Sequence, residues 1–254
     1  MKYQKVNLES YQRISKYQDM NKIQVILLKL RTKIARKIRE FVHSNKSRKY
    51  SFHSAMSDVI KENKMSADFI DCYSLYEDVL ERQPKCILEL GPGASTIAIC
   101  LAILEVKSFN PSYNPKFISV ESRSKWLEYH KSKMPENLLG LVDMRLSGEE
   151  VFEFEGKKVA RYTSLPKDKY DFVYVDGPDL HGLGVYLQTD IIDLAPFLSE
   201  ECYIIFDGRR RSVKFQSSYL NSFKFRRHYR SLNYILFRGK ISSGFLLDYF
   251  LPRH

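Results

Sequence analysis

Apolar positions along the chain fall into two periods, and their order predicts most of the architecture. From Asn21, the residues Ile23, Leu27, Leu30, Ile34, Ile38 and Phe41 recur three or four apart, which predicts an amphipathic helix. Lys22, Lys29, Arg31, Lys33, Arg36, Lys37 and Arg39 occupy its other face. Residues 45–51 are a polar, basic break, followed by helical patterns over 56–63 and 67–83. In the second of these, Phe69, Tyr73, Tyr76 and Leu80 have the spacing of a core-facing stripe.

Beyond residue 83 short apolar runs alternate with helical ones. Ile87, Leu88 and Leu90 predict a buried strand closed by Gly91-Pro92-Gly93. Ser95 or Thr96 is the expected cap of a helix running through Ile97, Ile99, Leu101, Ala102 and Leu104. Residues 116–121 predict a strand ending in an acid, and residues 122–133 a helix. Residues 140–162 alternate as a third strand with an attached hairpin, turning at Glu155-Gly156. Phe172–Val175 predicts a strand broken by Asp176-Gly177-Pro178, and residues 185–198 a helix. Residues 202–207 form a strand ending in Asp207, and residues 224–229 and 233–238 a closing hairpin, before an apolar tail at 245–251. Strands alternating with helices predict a doubly wound α/β sheet with helices on both faces.

Charge divides the chain at the same place as the pattern. The first fifty residues hold 14 Lys/Arg against 3 Asp/Glu, so the whole net charge of +11 lies there and the body is neutral. We therefore expect a basic helical extension over residues 1–50 and one domain over 51–254. A neutral body argues against a nucleic-acid-binding catalytic face. Residues 21–42 suit an in-plane helix on an anionic membrane surface; burial against the domain or a second subunit is the competing expectation. No run reaches membrane-spanning length and the start lacks the apolar core of a secretory signal, so a cytoplasmic protein, peripheral at most, is expected. Cys72, Cys86, Cys100 and Cys202 show no paired spacing and read as free thiols.

Candidate chemistry collects where strands are expected to end. Glu89 precedes a G-x-G turn that opens a helix, a place where backbone approaches a ligand closely. The third glycine of a dinucleotide fingerprint is replaced by Thr96. Glu121 suits a carboxylate that accepts from ribose hydroxyls, and Asp176 lies at a third strand end, where open α/β sheets bind ligands. His181 follows on a loop with Gly182 and Gly184, placed to take a substrate proton. Arg209, Arg210 and Arg211 suit an anionic substrate, or a solvated turn.

Glu89-Leu-Gly-Pro-Gly93, Glu121 and Asp176-Gly-Pro178, in that order, resemble the class I S-adenosylmethionine-dependent methyltransferases, over about residues 67–240. The resemblance implies a mostly parallel seven-stranded sheet with an antiparallel last strand. It implies S-adenosylmethionine held by Glu89, Gly91, Pro92, Gly93, Ser95 and Thr96 at the methionine end and Glu121 at the ribose. Asp176, Gly177 and Pro178 would lie beside the transferable methyl, with Asp176 and His181 catalytic. The expected reaction is O-methylation of a small or surface-associated acceptor. Cation-dependent members hold a metal with an Asp after strand four and an Asp-Asn pair after strand five. Asp176 and Asp207 match, but Gly208 replaces the Asn, so metal independence is expected. Aminopropyl transfer on the same sheet and a silent membrane-associated binding protein are the alternatives.

Overall fold

The computed structural model describes residue 52 and residues 54–57, 69–227 and 233–237. The chain divides into two compact units, Met1–Lys46 and Ser47–His254, and every described residue lies in the second. The basic helix expected over residues 21–42, most of the helix expected over 56–63, and the apolar tail lie outside the described residues.

Helix α1, Phe69–Arg82, leads into strand β1, Cys86–Leu90. Gln83 ends the helix with φ 45°, its N–H reaching the carbonyl of Val79, and Pro84 prevents continuation. Helix α2, Ala94–Phe109, strand β2, Lys116–Glu121, helix α3, Ser124–Lys133, the single turn α4, Glu136–Leu139, and strand β3, Asp143–Leu146, follow. Strands β4, Glu149–Phe154, and β5, Lys157–Tyr162, form an antiparallel ribbon separate from the main sheet. Strand β6, Tyr170–Val175, the turn α5, Asp190–Asp193, strand β7, Leu198–Phe206, helix α6, Arg210–Ser217, and strands β8, Lys224–Arg227, and β9, Tyr234–Phe237, complete the described body.

The main sheet has the order β3-β2-β1-β6-β7-β9-β8, parallel except for β9. The chain builds outward from β1 in one direction and from β6 in the other, so the order reverses between those two strands. Ligands bind in such sheets at this switch point, beyond the carboxyl ends.

Alternation along the buried strands assigns each side chain to a face. Ile87, Phe117, Phe172, Tyr174, Tyr203 and Ile205 pack under α1 and α2 with Tyr73, Tyr76, Val79 and Ile103. Phe52 closes this layer, its ring centroid 4.6 Å from that of Tyr76, so the aromatic stripe of α1 is core. Leu88, Leu90, Ile118, Val120, Val173, Val175, Ile204 and Phe206 fill the other face with Ile191, Leu194, Val213 and Leu220.

The helix expected over residues 185–198 does not form. Ala160 N–H donates to the Leu187 carbonyl at 2.9 Å and Thr189 N–H to the Ala160 carbonyl at 3.1 Å, so β5 holds this segment extended. Only Asp190–Asp193 turns as α-helix; Ala195–Phe197 is a 3-10 turn containing Pro196, and Leu198 already belongs to β7.

Asp171, on β6, fixes the entry of β1, accepting the N–H groups of Lys85 at 2.8 Å and Cys86 at 2.9 Å. Asp171→Ala should lower unfolding free energy by about 1–3 kcal/mol, read as a lower urea midpoint at unchanged slope.

Candidate active site

Gly91 lies just past β1 with φ 93°, and its N–H donates to the Val120 carbonyl at 2.9 Å. The Leu90 carbonyl accepts both Asp176 N–H, at 2.8 Å, and Gly177 N–H, at 2.6 Å. The turns after β1 and β6 therefore touch. A Cβ on Gly91 would lie 2.6 Å from the Gly177 nitrogen, and one on Gly177 would collide with the Tyr162 hydroxyl while sitting 3.0 Å from the Gly91 Cα. Bare backbone is what this junction tolerates.

Glu89 points from β1 toward the start of α2 and is fully buried. Its Oε1 accepts the Ser95 hydroxyl, and its Oε2 accepts those of Thr96 and Ser119, all at 2.6 Å. Ser119 is also its register partner on β2. Burial pushes the Glu89 carboxyl up to about 7, with the three hydroxyl bonds pulling the other way. The expected cap is corrected here: Gly93 caps α2, because Ser95 and Thr96 are inside its first turn with their hydroxyls turned to Glu89. The Thr96 hydroxyl oxygen also accepts the Gly93 N–H at 3.0 Å.

Glu121 stands at the end of β2 beside this turn. Its Oε1 accepts Ser122 N–H at 2.8 Å and Arg123 N–H at 3.0 Å, which delays α3 to Ser124; Oε2 takes neither bond. Burial raises its carboxyl above the usual range, opposed by those backbone donors. Arg123 reaches from here to Glu149 on β4, 3.1 Å, and to Asp179, 3.6 Å, tying the loop after β6 to the loop after β2.

Asp176 and Asp207 follow the last residues of the paired strands β6 and β7, whose register sets Val175 against Phe206. Asp176 lies at the open mouth, its side chain 46 % exposed. Desolvation, then the neighbouring Asp207 carboxylate, pushes its carboxyl above the usual range, while Arg209 pulls it down. The Arg209 guanidinium lies 4.0 Å from Asp176 Oδ1. It donates to the carbonyls of Asp176 and Pro178, the latter at 2.8 Å, and to Gln188 Oε1 at 2.9 Å. Gly177-Pro178 is a cis peptide. His181 sits on the exposed loop beyond, its carbonyl accepting Gly184 N–H at 3.0 Å. Among the described residues no group of three or more His, Cys, Asp or Glu side chains has the arrangement of a metal site.

The sheet edge thus brings together the glycine turn, Glu121, Asp176 and Asp207, with Glu89, Ser95 and Thr96 behind the turn. Two residues there were missed in the sequence. Tyr162 closes β5 with its hydroxyl beneath Gly177, raised well above its usual range by burial and then by Glu121 and Asp190. Gln188 lies in the segment expected to be helical. Arg209, singled out with its neighbours for an anionic substrate, is engaged by the mouth's own carbonyls. Asp190, fully buried, accepts Tyr162 N–H at 2.8 Å, and burial pushes its carboxyl up to about 7.

These raised acids set a pH dependence. An acid whose pKa is higher folded than unfolded contributes stability at low pH that is lost as pH rises through the folded value. For Glu89 the loss falls between the ordinary glutamate value of 4.5 and about 7. Urea denaturation at about pH 5 and about pH 7 should show the chain less stable at the higher pH, and Glu89→Gln should reduce that difference without removing the share from Asp190. An equal difference in the variant would mean that Glu89 is already ionised on folding.

No protein-family model matches the chain, and no curated protein matches it in sequence. Solved structures match it in shape. A methyltransferase from Geobacter sulfurreducens is 15 % identical, with 73 % of this chain and 88 % of that one covered and a TM-score of 0.50. An O-methyltransferase from Bacillus cereus, solved with S-adenosylhomocysteine, is 14 % identical, covering 72 % and 89 %, with a TM-score of 0.48. With the strand order, the first likeness shows that the described body has the Rossmann-like fold of this methyltransferase.

Proposed function

We propose that the chain is an S-adenosylmethionine-dependent methyltransferase acting on a hydroxyl of a small or surface-associated acceptor. The observation that carries this is the switch point, where the Gly91 and Gly177 turns touch and Glu121 and Asp176 flank them. The residues present fit the cofactor. The Gly91–Gly93 turn brings backbone to the strand end beside Glu121, which keeps Oε2 clear of the backbone bonds that orient it and so suits the ribose hydroxyls. Glu89 acts through the turn, since its carboxylate is buried and engaged by three hydroxyls. When bound, S-adenosylmethionine supplies an electrophilic methyl group on a sulfonium.

The chain's part is positioning and proton removal. Asp176, exposed at the mouth beside the end of β7, is the first candidate base for an acceptor hydroxyl. His181, on the adjoining loop, is the second candidate for that proton. Arginines rather than further acids follow Asp207, which favours methyl transfer over aminopropyl transfer to a polyamine. Calorimetry should show S-adenosylhomocysteine binding, weakened by about 1–3 kcal/mol in Glu121→Ala through lost charge-assisted hydrogen bonds. Unchanged affinity in a folded variant would remove the ribose role, and absence of binding to the wild type would remove the proposal.

Residues 1–50 are proposed as a separate basic extension that meets anionic membrane through residues 21–42. No helix among the described residues is long and apolar enough to cross a membrane. The full chain should pellet with anionic vesicles at low salt and less with neutral ones, and a chain beginning at Ser51 should stay in solution. Equal pelleting with both vesicle types would count against the electrostatic contact.

A further inference from the structure

We propose that the acceptor carries an oxyanion group, a carboxylate or a phosphate, received by Arg211 and Tyr186 at the rim of the mouth. The word acceptor rests on the methyltransferase reading; the subsite stands on the loop before α5 and the first turn of α6.

The three arginines after Gly208 are used differently. Arg209 is turned inward and engaged by the Asp176 and Pro178 carbonyls and by Gln188, so it binds the mouth together. Arg210 and Arg211 are exposed in the first turn of α6, which contains no acid. The helix dipole disfavours cations there, so it does not account for Arg211. A local rule broken beside a candidate site points to function.

Arg211 has a specific neighbour. Its guanidinium carbon lies 5.4 Å from the centroid of the Tyr186 ring, and Tyr186 is 61 % exposed. Tyr186 is carried two residues before Gln188, whose N–H donates to the Ser212 hydroxyl at 3.2 Å and whose side chain joins Arg209. The same polar contacts that fasten the Asp176 turn to α6 therefore set Tyr186 beside Arg211. A guanidinium over an aromatic ring presents its N–H fork to a carboxylate or phosphate while losing little freedom on binding. The ring offers a flat apolar surface for the body of the acceptor. Because residues 51–254 carry equal numbers of basic and acidic side chains, this is a local anion site and not part of a basic face for nucleic acid.

The test is calorimetric titration of the full chain at low salt with inorganic phosphate, with glucuronate and with neutral glucose, alongside S-adenosylhomocysteine. Either or both oxyanions should bind and glucose should not, and the preferred oxyanion identifies its source as phosphate or carboxylate. Arg211→Ala should weaken oxyanion binding about tenfold, the scale of one charge-assisted contact, with S-adenosylhomocysteine affinity unchanged. Oxyanion binding equal in wild type and Arg211→Ala would assign it to the basic first fifty residues and overturn the proposal, as would no oxyanion binding at all. Loss of S-adenosylhomocysteine binding with Arg211-dependent oxyanion binding intact would overturn the methyltransferase reading and leave the anion site standing.

Discussion

One buried carboxylate holds the centre of this fold. Glu89 lies on the central strand β1, and three hydroxyls from β2 and the first turn of α2 converge on it. A carboxylate removed from water is costly unless each oxygen is supplied with donors, and Ser95, Thr96 and Ser119 supply them. Their placement fixes the angle at which α2 leaves β1 and the register of β1 on β2. The glycine turn is the short chain left between those fixed points, so its shape follows from the brace behind it.

From that turn the mouth is assembled by backbone as much as by side chains. Leu90 gives one carbonyl to two consecutive N–H groups of the neighbouring strand end, which draws the Asp176 turn against Gly91. Tyr162 then fills the space beneath Gly177 from a ribbon outside the main sheet, and Arg209 closes the other side. Three separate segments thus meet near Asp176, and the desolvation they impose, followed by the neighbouring Asp207 carboxylate, raises its proton affinity.

The sequence made the strands and their terminal acids legible because the signals are local. Ile87, Leu88 and Leu90 before two glycines, and Phe172–Val175 before Asp176, need only a few adjacent residues to be read. The places of Tyr162, Gln188 and Arg209 were not legible, since each is set by partners 11 to 33 residues away in the chain. The misread segment before β7 shows the same limit. Its apolar residues have helical spacing because they enter the second core face, but β5 claims the backbone of residues 187 and 189. Glu89 was found by its motif but its three hydroxyl partners were not, because neither Ser95 nor Thr96 announces that its hydroxyl faces backward.

The unequal use of the three arginines divides constraint along a very short stretch. The Arg209 fork serves three acceptors at once, which a lysine's single ammonium on a flexible stem would not reproduce. Position 209 is therefore closed to exchange, while 211, exposed in the first turn of α6, is open to it. Selection can retune what the rim recognises by changing neighbours of a residue that must itself stay fixed. A scaffold arranged in this way can diverge in preference while keeping its reacting centre intact.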